Sequence, residues 1–185
     1  TRMSIRHAWA ARTRLPGGTH PANERGLGMS VPWFPVVGAM IGLVLGLFWI
    51  GLNELVAPLM SSAITVMLGV VITGAFHEDG FADTADSLGG FSPERRLEIM
   101  KDSRVGTFGS LALIFSVLVR VIALAELGPI HGLVALVLAH SVGRSLATLV
   151  MATTPPAAKE GLGQSYTAHL PRSKVFAIGV FIAAC

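Results

Sequence analysis

The chain has 185 residues, of which 52% are hydrophobic and 14% charged, with a mean hydropathy of +0.64. A soluble domain carries about 25% charged residues, so this composition excludes an ordinary water-soluble globule and points to a membrane protein. The net charge of +3 comes with no basic patch interleaved with aromatics; basic flanks beside anionic lipid headgroups account for it, and no nucleic-acid partner is expected.

In chain order, the first 30 residues are basic and polar, with Arg2, Arg6, Arg12, Arg14 and Arg25 against Glu24, and lack the apolar core of a cleavable signal peptide. Four apolar segments follow that are long enough to span, at 34–52, 59–76, 111–127 and 132–151, and a fifth begins at 175–185. The last stops at Cys185 after too few residues to cross, and Thr1 is no initiator, so the chain reads as a single membrane domain truncated at its C-terminus. A single cysteine excludes an intrachain disulfide. Gly38, Gly42 and Gly46 form a small-residue ridge on the first span that lets another helix approach closely.

Basic residues sit before the first span, between the second and third (Arg95, Arg96, Lys101, Arg104) and after the fourth (Lys159, Arg172, Lys174). The turn NELVAP and the stretch around Gly128 hold no Lys or Arg. The positive-inside rule therefore puts all three basic stretches in the cytoplasm. The fold class that follows is all-α, a polytopic integral membrane protein with an acidic cytoplasmic loop at 77–108.

That loop carries the chemistry. Seven of the eleven acidic residues fall between Glu78 and Asp102, within the stretch GAFHEDGFADTADSLGG and its continuation. On a helix, Asp79, Asp83 and Asp86 lie within roughly a 60° arc. Three carboxylates on one face repel one another unless a cation neutralises them. Mg²⁺ is typically held by one or two carboxylates, waters and substrate phosphates, so the face reads as a Mg²⁺ site awaiting a phosphorylated substrate. Glu78, about 100° away on the wheel, is a fourth candidate ligand.

Ser92 with Pro93 and Glu94 opens a second helix, which ends near Lys101, Asp102 and Arg104. Cations beside a metal suit a diphosphate site. Within the spans, Arg144 is expected to reach a phosphate, and Arg120 to pair with Glu126 or snorkel.

GAFHEDGFADTADSLGG followed by RRLEIMKDSRVGTFG resembles the signature of the cobalamin synthase family, the adenosylcobinamide-GDP ribazoletransferases; TRLP at 13–16, WFPVVGAMIGLVLG at 33–46 and HSVGRS fall in the family's order. Phe81 and Ser87 stand where members commonly have Leu and Gly.

The resemblance implies a multi-pass protein of the bacterial or archaeal inner membrane, with its active site facing the cytoplasm. It also implies a Mg²⁺-dependent glycophosphotransferase that joins adenosylcobinamide-GDP to α-ribazole or its 5′-phosphate and releases GMP. Asp79, Asp83, Asp86 and Glu78 are then expected to hold Mg²⁺. Lys101, Arg104 and Arg144 would meet the phosphates, Asp102 would be a ligand or an orienter of Lys101, and His77 a base. The lipid bilayer is an expected partner, and an oligomer is compatible with the sequence.

Two other classes compete. CDP-alcohol phosphotransferases carry DGxxAR, and DGFADT lacks the AR step. A cation transporter would bury its acids near the bilayer midplane, whereas these are expected in a loop.

Overall fold

The computed structural model describes residues 24–157, 162–173 and 175. Among these residues all regular structure is helical, as an all-α reading requires. The expected fifth span, the TRLP stretch and most of the N-terminal arginines lie outside the described residues. The chain divides into two compact units, one of Gly51–Gly128 and one combining Thr1–Ile50 with Pro129–Cys185.

The second of these contains α1 (Glu24–Ser30), a 3₁₀ turn at Val31–Trp33 and most of α2 (Phe34–Asn53). Pro32 and Pro35, tolerated in the first turn of a helix but not in its interior, mark the entry to α2. Later in the chain come α7 (Pro129–Thr153) and the short α8 (Leu162–Thr167). The glycine ridge meets α7. A methyl at Gly42 would stand 2.7 Å from the Cα of Val137, and one at Gly46 3.1 Å from that of Leu133. Gly38 faces His140 and Arg144, so the numbers run in opposite directions and the helices are antiparallel. Lipid tails are as apolar as leucine, so helices associate in a membrane through close backbone approach, which the ridge permits. Past its end the rule inverts: Trp49, fully buried, lies on Gly132. Phe34 packs edge-on against Tyr166, with ring centroids 5.7 Å apart.

The unit Gly51–Gly128 is built from α3 (Pro58–Thr73), α4 (Phe76–Ser87), α5 (Pro93–Ile99) and α6 (Thr107–Ala125). On α3 the buried stripe is Ser61, Ser62, Thr65, Gly69 and Thr73, while Leu59, Met60, Ile64, Met67 and Val71 face outward. Small polar side chains inside and large apolar ones outside is the arrangement of a helix solvated by lipid. α6 likewise exposes Leu111, Ile114, Phe115, Leu118 and Val119, and it buries Gly109, Val121 and Leu124.

Three helical stretches are long and apolar enough to cross a membrane: Gly26–Asn53, Thr107–Ala125 and Pro129–Thr153. The expected span at 59–76 departs from this pattern. α3 ends at Thr73 and reaches spanning length only together with α4, from which it is bent by 91°. Gly74 and Ala75 make the break, both in the left-handed region at φ 66° and 58°. For alanine that conformation costs roughly 1–2 kcal/mol.

Candidate active site

The stretch 77–108, expected as a cytoplasmic loop with an acidic helical face and a second helix from Ser92, contains two helices, and the first is laid antiparallel along α6. Asp86 fixes one end. Its Oδ2 accepts the Gly106 N–H at 2.7 Å and its Oδ1 accepts the Gly109 N–H at 2.8 Å. Gly106 is the N-cap of α6 and has no side chain to cap with, so Asp86 satisfies two of the helix's orphan donors from 20 residues away. Its negative charge also suits the positive end of the α6 dipole.

Glu78 fixes the other end, where its Oε1 accepts from Arg120 Nη1 at 3.0 Å. Arg120 therefore pairs with Glu78, not with the expected Glu126. Sequence reasoning missed this partner because 42 positions separate the two. The Oε2 of Glu78 is buried and accepts no hydrogen bond among the described residues.

Between these two ends lie Asp79, exposed, and Asp83, half-buried, one turn apart. Neither side chain makes a hydrogen bond or ion pair among the described residues. His77 stands exposed in the first turn, edge-on to Phe76 at 5.7 Å between centroids. Among the described residues no three His, Cys, Asp or Glu side chains converge as a ready-made metal cage. Asp79 and Asp83, two carboxylates with neither oxygen engaged among the described residues, match a Mg²⁺ held by one or two carboxylates with water and phosphate completing its shell, and Glu78 keeps Oε2 beside them.

The helix α5 forms as its sequence directs. Ser92 accepts the Arg95 N–H at 3.2 Å, Pro93 fills the first position and Glu94 sits in the first turn. Beyond it, Arg104 closes on Asp102 through Nε at 3.1 Å and Nη2 at 2.7 Å. The Arg104 hydrogen bonds pull the Asp102 carboxyl down to about 2 and push the Arg104 guanidinium up. Asp86, Arg95, Glu98, Asp102, Arg104 and Gly106 line an open cleft of about 440 Å³. The structure thus gathers Asp86, Asp102 and Arg104 in one place. Lys101 is exposed nearby but does not line the cleft.

Arg144 belongs to the other unit. It is 5% exposed, and its Nη1 donates to the His140 carbonyl at 2.9 Å and lies 3.1 Å from His140 Nδ1. Its stem packs on the open face of Gly38.

The chain is matched over residues 4–185 by the family model described as cobalamin-5-phosphate synthase. It is 47% identical over 140 residues to an adenosylcobinamide-GDP ribazoletransferase of Allorhizobium ampelinum, covering 71% of this chain and 53% of that protein. Proteins with the same name from Ectopseudomonas mendocina and Bradyrhizobium diazoefficiens are 37% and 40% identical, over 99% and 96% of this chain and 75% and 71% of their own lengths. The chain spans about half the length of the Allorhizobium and Azorhizobium caulinodans relatives. No solved structure matches it. With a match over nearly every residue and an acid-rich helix seated where the signature falls, the chain belongs to the cobalamin-5-phosphate synthase family.

Proposed function

We propose that this chain is the membrane-embedded part of an adenosylcobinamide-GDP ribazoletransferase. In this reading the hydroxyl of α-ribazole, or of its 5′-phosphate, attacks the cobinamide-side phosphorus of adenosylcobinamide-GDP. A new P–O bond forms, the bond to GMP breaks, and the hydroxyl proton passes to a base. The observation that carries it is the pair of unengaged carboxylates, Asp79 and Asp83, on a helix held at both ends, in a chain whose relatives bear that name.

Asp79 and Asp83 are the proposed Mg²⁺ ligands; when bound, the ion supplies charge neutralisation to the diphosphate and to departing GMP. Asp86 has both oxygens engaged by the α6 N-terminus, whereas Glu78 has one taken by Arg120 and keeps Oε2 as a further proposed ligand oxygen. Arg104 and Arg95, lining the cleft, and Lys101 beside it offer positive charge to phosphate oxygens. Arg104 does so as a guanidinium oriented by Asp102. His77, exposed at the start of α4, is the proposed acceptor of the hydroxyl proton. Arg144 is a proposed phosphate contact only if it leaves its bond to His140. The basic stretches support a site on the cytoplasmic face of the membrane, where a bulky ring would meet lipid-facing helices and its charged tail would meet water.

The test is GMP release by membranes carrying the protein, given adenosylcobinamide-GDP and α-ribazole, with Mg²⁺ or with EDTA. Mg²⁺-dependent GMP and cobalamin, reduced at least about a hundredfold in Asp83→Asn, is the expected result. No product from folded protein would reject the reading, and CDP-alcohols would be tried next.

A further inference from the structure

We infer that Asp86 is a positioning residue and not a metal ligand: it is the cap of α6 supplied by α4, and it sets the register of Asp79 and Asp83. Three observations converge. Both carboxylate oxygens are taken by backbone N–H groups, at 2.7 and 2.8 Å, which are the lengths of charge-assisted bonds. The two donors are the N-cap and N3 positions of α6, the pair that a capping box satisfies with two side chains of its own helix; here one carboxylate from another helix serves both.

The third observation is the space left for that carboxylate. A methyl at Gly106 or at Gly109 would stand 3.0 Å from Asp86 Cγ, and at Gly109 also 3.0 Å from the Ala82 carbonyl oxygen. A side chain at either position would have to displace the Asp86 carboxylate, so the two glycines of VGTFG are the socket for the aspartate. Asp83 lies one turn before Asp86 and Asp79 two turns before, so a slip at the socket moves both carboxylates. The spacing of three aspartates on one face is therefore two chemical groups and one anchor.

The turnover arm of the test rests on the ribazoletransferase reading; the stability arm does not. Asp86→Asn, Gly109→Ala and the double variant are compared with wild type in detergent, first by melting temperature without metal or substrate. Asparagine turns an acceptor oxygen into an N–H that opposes a backbone N–H, and alanine fills the socket, so each breaks the same contact. Each single substitution should lower the melting temperature, and the double should lower it no further than the worse single. Additive losses would overturn the inference.

The second arm is the Mg²⁺ dependence of GMP release per folded molecule. Both single variants should lose turnover and raise the half-saturating Mg²⁺ by a similar factor, since each lets Asp79 and Asp83 slip in the same way. A half-saturating Mg²⁺ raised about tenfold or more in Asp86→Asn, but not in Gly109→Ala, would make Asp86 a ligand and overturn the inference. If wild type itself releases no GMP, the transferase reading fails, and the melting data alone decide the socket.

Discussion

Asp102 shows how a neighbour narrows what a residue can do. Its carboxyl is lowered from an ordinary 3.8 to about 2, first by the Arg104 side-chain hydrogen bonds and then by a backbone one. A depressed carboxyl contributes stability that is present above the unfolded value and is lost as the pH falls through about 2. The pair is thus intact throughout the physiological range, and a group this acidic is a poor proton acceptor there. Asp102 then orients Arg104, not the expected Lys101. Carbon-13 titration of the Asp102 carboxyl should give a midpoint at about 2, returning toward 3.8 in Arg104→Ala. A wild-type midpoint already near the ordinary value would mean that the two side chains do not pair in solution.

Among the elements, the glycine ridge of α2 makes the sharpest prediction. Gly42 faces the α7 backbone, whereas a methyl at Gly51, on the same helix, meets nothing within 4 Å. Gly42→Ala should lower stability by roughly 1–3 kcal/mol through overpacking. Gly51→Ala should be neutral or stabilise by up to about 1 kcal/mol, since alanine loses less backbone entropy in a helix; reversible unfolding in mixed micelles separates the two.

This ridge was legible in the sequence because a period of four is a local pattern. Its partner was not, because the choice of α7 depends on contacts about a hundred positions away. The start of α5 was legible for the same local reason, in Ser92, Pro93 and Glu94. The break before α4 was hidden: Gly74 is an ordinary helix end, but alanine in the left-handed region runs against its own preference and is held there by the surrounding structure. So too was the division of labour in the acidic set. Spacing puts Asp79, Asp83 and Asp86 on one face with Glu78 about 100° away, and only the position of α6 shows that Glu78 and Asp86 are bonded to it.

For the whole molecule, the proposed orientation follows from basic residues and can be tested at two sites. In a Cys185→Ser background, Glu54→Cys, in the turn after α2, should react with a membrane-impermeant maleimide from outside intact cells. Glu94→Cys in α5 should react only after the cells are opened; the reverse pattern would invert the topology.

The antiparallel packing of α2 on α7 also has a consequence for synthesis. The unit Gly51–Gly128 is inserted within the unit that combines Thr1–Ile50 with Pro129–Cys185. At about 5–20 residues per second, the bare glycine ridge waits roughly 5–20 s in the bilayer before Val137 and His140 are translated. During that interval α2 is an unfinished surface open to any passing helix, and a ribosome that stalls there leaves behind a substrate for membrane proteases.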